Sequence, residues 1–450
     1  MLERLSSKVS HSTVLGELYR RTPENQVGPS LARISALMEL LGDPQHSAPV
    51  IQITGTNGKG STAIIIDALL RAQGLRTGRF TSPHLVDARE RICVDGQPID
   101  PQDFDRIYEE IKPMIEMVDA RGIDSIPMTF FEVMTALAYA CFADAPVDVM
   151  VIEVGMGGTW DATTVADASV AVFTPISVDH TDYLGATLED IAAEKAGIIK
   201  ENSVVVTAGQ QPEVAQVLLA QCARMAVATS KEGVDFSLLD RTMAVGGQVI
   251  RLESATGPVG SLFLPLYGSA MAHNAVLAVA AVEALDGMRG LDPSVIEDGF
   301  NEVVAPARTE LVHGAPPIVV DTCHNPSAVS STLDTMEEAY GFAPQIVIWA
   351  MMEDKDAVQV LKLLEPRSGS LIVTQADTSR AMSAQRLGDL AGDIFGEERV
   401  RVCPELADAI DVGVQLADEA GVGAGILIGG SVALAGQARH LLKKGEEKLS

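Results

Sequence analysis

Positive charge is scarce in this 450-residue chain: 33 Lys and Arg stand against 61 Asp and Glu, a formal net charge of -28. That balance excludes non-specific attraction to nucleic acid or anionic lipid, both of which need a positive footprint. It leaves room for small anionic substrates, provided their pocket is locally basic. Aromatic residues make up only 4%. The core must therefore be built from Val, Ile, Leu, Ala and Met, which are plentiful in a chain that is 47% hydrophobic. Cysteine is also sparse. Cys93, Cys141, Cys222, Cys323 and Cys403 are scattered with no C-x-x-C pair, which speaks against a disulfide framework or a zinc site and for reduced thiols. No apolar run approaches the roughly 18 residues a membrane helix needs. The stretch Met1 to Ser12 is polar and has no apolar core of a signal peptide. The expectation is a cytoplasmic protein of two or three domains.

What is present is an alternation of short apolar runs and amphipathic stretches, the pattern of an α/β fold with mostly parallel sheets. Strands are expected at 49–55, 148–154 and 168–175, and helices at 59–73, 129–145, 188–200 and 272–285. The segment from about Asp235 to Tyr267 alternates and is rich in Gly and β-branched residues. It reads as a β-rich annex of the first domain. A second α/β pattern starts near Pro317, with strands expected at 317–321, 345–350, 370–374, 399–403 and 425–429. The predicted layout is an N-terminal P-loop ATPase-type domain over 1–305, a linker over 306–316 and a smaller Rossmann-like α/β domain over 317–450.

The strongest local signal is ITGTNGKGST, Ile53 to Thr62, between an apolar strand and a helical run. This is the context of a phosphate-binding loop. Gly55, Gly58 and Gly60 let backbone N–H groups turn toward an anion, and the helix N-terminus adds partial positive charge. Lys59 is placed to reach the β- and γ-phosphates, and Ser61 or Thr62 to meet Mg²⁺. Gly60 separates Lys59 from Ser61, so the strict Walker pattern is not met.

Other chemistry-bearing residues follow strands. Glu153 ends DVMVIE and precedes VGMGG. A carboxylate at the C-terminal edge of a parallel strand faces the ligand crevice, and beside a triphosphate it suits Mg²⁺. The alternative is a solvated strand-end charge. PISVDHTDYLG clusters Asp179, His180 and Asp182. His180 reads as a metal ligand or a structural histidine, with Asp179 as its orienting partner. Lys195, in EDIAAEKAGIIK, reads by default as a surface lysine. Near metal-bound phosphates its ammonium would be repelled, so it would have to withdraw or become an anionic carbamate. In FTSPHLVDARERI, Ser82 offers a hydroxyl to a metal, and Arg89 with Arg91 offers charge to an anionic substrate.

Taken in order, GTNGKGS, FTSPHL, ERI, TFFE, EVGMGG with WDATT, DHTDYLG, EKAGIIK, HNA, PARTE, DTCHNP and EDKDA run from about residue 50 to 357. This set resembles the folylpolyglutamate synthase/dihydrofolate synthase family of the Mur ligase superfamily. The resemblance implies that Thr56, Asn57, Gly58, Lys59, Gly60, Ser61 and Thr62 hold the phosphates of ATP, with Asn274, Arg308, Asp321 and His324 as further nucleotide contacts. It implies that Ser61, Ser82, Glu153 and His180 hold Mg²⁺, two ions in all. Lys195 matches the lysine that this family carbamylates. Thr81, Met128, Thr129, Phe130, Phe131, Trp160, Asp161 and Ala162 match segments lining the pterin side of the folate pocket. Lys59, Glu153, His180 and Lys195 would carry the catalysis. Two departures bear on backbone geometry: Ala307 stands where the family commonly has Gly, and Thr322-Cys323 stands where it commonly has Gly-Ala.

The reaction implied is ATP-dependent addition of L-glutamate to a folate-type carboxylate through an acyl phosphate, with reduced folate or dihydropteroate as acceptor and a monomer as the working form. Two rival readings stand beside it. A Mur-type ligase for a cell-wall precursor would want a UDP-binding domain ahead of the phosphate loop, which begins near residue 55. A regulatory NTPase would lack glutamate-dependent turnover.

Overall fold

The computed structural model describes residues 10–23 and 28–447. Most of the polar start read for the absence of a leader lies outside them. The described residues fall into two compact units. One comprises residues up to Ser237 with Leu252–Val259 and Asn274–Glu302, and the other comprises Leu238–Arg251, Gly260–His273 and the chain from Val303 onward.

The first unit is built on strands β1 (Val50–Thr54), β2 (Thr77–Phe80), β3 (Ile92–Val94), β4 (Gln97–Pro98), β5 (Val149–Glu153), β6 (Val170–Phe173), β7 (Val204–Thr207) and β8 (Thr229–Lys231). They form one sheet in the order β4-β3-β2-β5-β1-β6-β7-β8. β2, β5, β1, β6, β7 and β8 run parallel, and β3 and β4 turn back at the edge. β1 and β5 are buried at every position, as strands covered on both faces must be. The principal helices toward the N-terminal side are α1 (His11–Tyr19), α2 (Ala32–Leu40), α3 (Lys59–Ala72), α4 (Pro101–Ala120) and α5 (Phe130–Asp144). α5 starts at a capping box in which Thr129 and Glu132 satisfy each other's backbone N–H groups. Val133, Met134 and Leu137 on it are buried with Ile107 and Ile111 of α4 in one apolar cluster. Each such side chain removed from water stabilises the fold by about 1.5–3 kcal/mol.

Strands β9 (Ser237–Ala244), β10 (Gly247–Ser254) and β11 (Gly257–Leu264) make a three-stranded sheet, where the sequence predicted a β-rich annex. In the second unit β12 (Glu310–Gly314), β13 (Pro317–Val320), β14 (Gln345–Trp349), β15 (Ser370–Val373), β16 (Val400–Val402) and β17 (Gly425–Gly429) form a sheet in the order β12-β13-β17-β14-β15-β16. All neighbours are parallel except β12 on β13.

Two sequence expectations change. The stretch read as a linker contains β12, an edge strand with Leu311 half exposed. The helix expected over 188–200 stops at Lys195 and continues as a 3-10 turn over Ala196–Ile198. Gly197 in that turn has no room for a side chain, because a Cβ there would lie 2.5 Å from the Cα of Thr159. That turn is pressed against another stretch of backbone.

Candidate active site

β2, β5, β1 and β6 are adjacent and parallel, so their C-terminal ends form a row. The loops leaving them carry Thr81-Ser82, Glu153-Gly158, Gly55-Gly60 and Pro175-His180 respectively. This is where an open parallel sheet binds its ligand.

The loop after β1 is tightly held. Gly55 has φ 144, and a Cβ there would sit 1.9 Å from the Thr174 hydroxyl. Gly58, at φ 91, is the N-cap of α3, and a Cβ there would meet Asn274 Oδ1 at 2.6 Å. Asn274 is thus packed onto the tip of the loop. The first N–H groups of α3 have no partner within the helix and face the loop with the positive end of its dipole. Lys59 donates from Nζ to the carbonyls of Gly55 and Thr56, each at 3.2 Å. The hydroxyls of Ser61 and Thr62 are buried and have no partner among the described residues, the condition of atoms shaped for a ligand. Thr56 is different. Its hydroxyl donates to Ser177 O at 2.9 Å and accepts from Ser177 N at 3.0 Å, so it clasps the loop after β6.

Glu153 is buried, and its Oε2 accepts the backbone N–H of Ser82 at 3.0 Å. The strand-end carboxylate and the serine are therefore neighbours. His180 has φ 53 and heads the short helix Thr181–Leu184. Its Nε2 lies 3.8 Å from Asp179 Oδ2, near in charge but beyond hydrogen-bond reach. Asp179 Oδ1 instead accepts the backbone N–H of His180 at 2.9 Å. Gln210, which local sequence gave no reason to notice, braces this loop. Its Oε1 accepts from Ile176 N and its Nε2 donates to Thr174 O, both at 3.0 Å.

Lys195 is not a surface residue. It is only 4% exposed, and its Nζ donates to Gly55 O at 2.9 Å, the carbonyl that Lys59 also uses. Burial, and then the neighbouring Lys59 charge, push its pKa down to about 7. A substantial share of the side chain is then neutral near pH 7, and a neutral amine is a nucleophile. Gly158 fits against this helix end, where a Cβ would lie 2.6 Å from Lys195 O.

Met128 and Thr129 are buried ahead of α5, and Phe130 is buried at its start. Phe131 lies against Gly155, where a Cβ would meet its ring at 2.5 Å. The segment Met128–Phe131 therefore touches the turn that follows Glu153. Thr81 donates from its backbone to Arg91 O at 3.0 Å. Asp161 is buried and fully used inside its own loop. Oδ1 accepts from Thr163 N and Oγ1, and Oδ2 accepts from Met156 N at 2.9 Å. Burial raises its pKa despite these bonds. Trp160 packs with the cluster around Leu184 and Ile191, whereas Ala162 and Phe130 belong to the cluster around α5. Both arginines of the Arg89–Arg91 pair have partners within the fold. Arg89 Nη2 meets Asp87 Oδ2 at 2.8 Å, and buried Arg91 donates to His84 Nδ1 at 2.9 Å with its guanidinium 5.1 Å from the Phe130 ring centre.

In the second unit, Arg308 Nη1 donates to the Thr322 hydroxyl at 2.6 Å. Asp321 accepts from Thr309 N at 2.7 Å and Cys323 N at 2.8 Å. His324 Nδ1 lies 3.0 Å from Thr322 O. Ala307 takes φ 54 and Thr309 φ 49, which accounts for the glycine commonly found at the first of these positions. Burial raises the Cys323 pKa well above its usual value, which favours the neutral thiol over the nucleophilic thiolate.

Residues 106–282 match the Mur ligase middle domain, and residues 307–432 match the Mur ligase glutamate ligase domain. A Mycobacterium tuberculosis protein called dihydrofolate synthase/folylpolyglutamate synthase is 45% identical, over 94% of this chain and 92% of its own length. A crystal structure of M. tuberculosis folylpolyglutamate synthase complexed with ADP and AMPPCP superposes with a TM-score of 0.92 at 46% identity, over 96% of this chain and 98% of that one. An Escherichia coli homologue solved in complex with DHPP and ADP gives 0.84 at 28% identity, over 97% and 99% of the two chains. The chain belongs to the folylpolyglutamate synthase/dihydrofolate synthase family, a branch of the Mur ligase superfamily.

Proposed function

We propose that this protein is an ATP-dependent, ADP-forming ligase that adds L-glutamate to folates, and that it accepts both reduced folate and dihydropteroate. What supports the reading is the row of strand ends, in which a phosphate loop, a buried carboxylate with its serine, and a histidine loop follow adjacent strands. A carboxylate does not react with an amine near neutral pH, because its leaving group is too poor. An oxygen of the acceptor carboxylate attacks the γ-phosphorus of ATP, and the bond to ADP breaks. The amino group of glutamate then attacks the carbonyl carbon of the acyl phosphate and loses a proton. Phosphate departs with the former carboxylate oxygen. The chain's share is positioning and charge compensation. Lys59 and the N–H groups of the loop hold phosphate oxygens.

The hydroxyls of Ser61 and Ser82 and the Glu153 carboxylate fit Mg²⁺, which prefers oxygen ligands and shares its sphere with substrate phosphates and water, whereas the His180 imidazole is a less usual partner. Ser61 with its unpartnered buried hydroxyl, Glu153, Ser82 and His180 would hold it. When bound it supplies positive charge that offsets the phosphate oxygens. Among the described residues no group of three or more His, Cys, Asp or Glu is placed to hold a metal ion. Lys195 would react with CO₂ as the neutral amine, losing a proton to become a carbamate. That removes its repulsion with Lys59 and places an anion beside the phosphate loop. Thr81, Met128 to Phe131 and Trp160 to Ala162 would line the pterin side, with Asp161 shaping its loop from within. Asn274, Arg308, Asp321 and His324 are proposed as nucleotide contacts. The working form is proposed to be a cytoplasmic monomer. No described helix is long and apolar enough to cross a membrane.

The test is phosphate release from ATP with dihydropteroate, tetrahydrofolate or a UDP-muramoyl acceptor, each with and without glutamate. Glutamate-dependent release with both pteridine acceptors is expected. Release with the UDP-muramoyl acceptor alone would shift the reading to cell-wall ligation, and release indifferent to glutamate would shift it to a plain NTPase.

A further inference from the structure

The segment Met128–Phe131 is held by residues that precede the phosphate loop, together with Asp119. Arg21 Nη1 donates to Met128 O at 2.9 Å and to Asp119 Oδ2 at 3.1 Å. Asp119 Oδ1 in turn accepts Met128 N at 2.7 Å. Phe130 N donates to Thr22 O at 3.0 Å. The Tyr19 ring stacks on the Phe130 ring with centres 5.5 Å apart and planes 14° from parallel. Arg33, only 2% exposed, donates from Nε to both oxygens of Glu132 at 3.1 and 3.3 Å, from Nη1 to Asp124 at 2.8 Å and from Nη2 to Gly28 O at 2.8 Å. Glu132 is the residue whose Oε2 accepts the N–H and hydroxyl of Thr129 at 2.8 and 2.9 Å.

These bonds converge on consecutive residues. Phe131, at the far end of the same segment, rests on Gly155 in the turn after Glu153. A rigid mount on one side therefore sets where the segment meets the reacting end of the site. We infer that Tyr19, Arg21 and Arg33 are positioning residues for the acceptor, and that they govern acceptor binding rather than nucleotide binding. This rests on the reading of Met128–Phe131 as the pterin side of the folate pocket. Misplacement by about 1 Å costs an enzyme up to roughly a hundredfold in rate, which gives such a mount its value. Thr22 contributes only its backbone carbonyl, so its side chain is not part of the proposal.

Tyr19 is 52% exposed, so Tyr19→Ala leaves the fold in place. Arg33 is part of a buried pair, and its replacement risks unfolding. The experiment uses the full-length protein and measures kcat and the KM for tetrahydrofolate and ATP in Tyr19→Ala, Tyr19→Phe, Arg21→Met and Phe131→Ala, with a thermal melt of each. Tyr19→Ala and Arg21→Met are expected to raise acceptor KM about five- to tenfold while ATP KM stays within about twofold, the signature of lost acceptor binding. Tyr19→Phe, which keeps the stack, is expected to restore the wild-type KM. Suppose Phe131→Ala raises acceptor KM but Tyr19→Ala and Arg21→Met do not. The mount is then overturned and the acceptor reading survives. If Phe131→Ala leaves acceptor KM unchanged as well, the acceptor reading falls and this inference falls with it. Equal rises in acceptor and ATP KM would reduce the mount to a general structural role and overturn it.

Discussion

Lys195 holds its amine against the Gly55 carbonyl, beside Lys59 and out of water. Its pKa is about 7 in the fold and close to 10.4 in an unfolded chain. Below about pH 7 the amine is charged in both states, and the full cost of burying that charge is present. Between the two values the unfolded chain binds more protons, so stability rises with pH across that window. In CO₂-free buffer, wild-type stability should rise from pH 7 to pH 10 relative to Lys195→Met, as chemical denaturation would show. Bicarbonate should stimulate wild-type turnover more above pH 7 than below it, because only the neutral amine takes up CO₂, and should not stimulate Lys195→Met. Identical bicarbonate responses in the two proteins would rule out a carbamate at this position. Ala307 gives a second residue-scale test. It is fully buried at φ 54, with its N–H bonded to Glu310 Oε2 at 2.7 Å, so it cannot relax. A left-handed conformation costs a non-glycine residue about 1–2 kcal/mol. Part of that is recovered by Gly, so Ala307→Gly should raise stability by about 1 kcal/mol in a denaturant titration. The position of Ala307 in P-A-R-T-E pointed to this strain in advance. Nothing local pointed to the burial of Lys195, because E-K-A-G is equally compatible with a surface helix and the groups that enclose it, Gly55 among them, are distant in sequence.

Between elements, the phosphate loop and the histidine loop are joined by one side chain. Thr56 both gives and takes a hydrogen bond with Ser177, three residues before His180. Thr56→Val keeps the shape and removes both bonds. It should lower kcat by about tenfold or more through misplacement of the His180 loop, with a loss of stability of about 1–3 kcal/mol. Rapid kinetics and a melt would measure both, and an unchanged kcat would show that the clasp is not needed for turnover. Elements with strong local signals were legible. The glycine pattern and helical run predicted a turn into α3, and the apolar run over 129–145 predicted α5. β12 was not, because an edge strand with Leu311 exposed has no buried-strand signature and owes its form to pairing with β13. The end of the helix at Lys195 was missed for a similar reason. The turn that follows packs Gly197 against Thr159, nearly forty residues away in sequence.

At the scale of the molecule, the acidic balance of the chain frames a local exception: Lys59 and Lys195 converge on one carbonyl beside a helix N-terminus. The parallel sheet and its ligand edge could be anticipated from alternation alone. The row of loops could be anticipated only through the resemblance, since strand order, with β5 inserted between β2 and β1, is not written in local sequence. The central claim is that ATP activates the acceptor's own carboxylate before glutamate attacks. Its most direct test supplies tetrahydrofolate labelled with ¹⁸O in its terminal carboxylates, together with ATP, Mg²⁺ and glutamate, and then weighs the released phosphate and the product. The account predicts that one ¹⁸O from the reacting carboxylate appears in each phosphate released and that the new amide lacks that atom. Phosphate carrying no ¹⁸O, with both labelled oxygens of that group still in unextended folate, would contradict it.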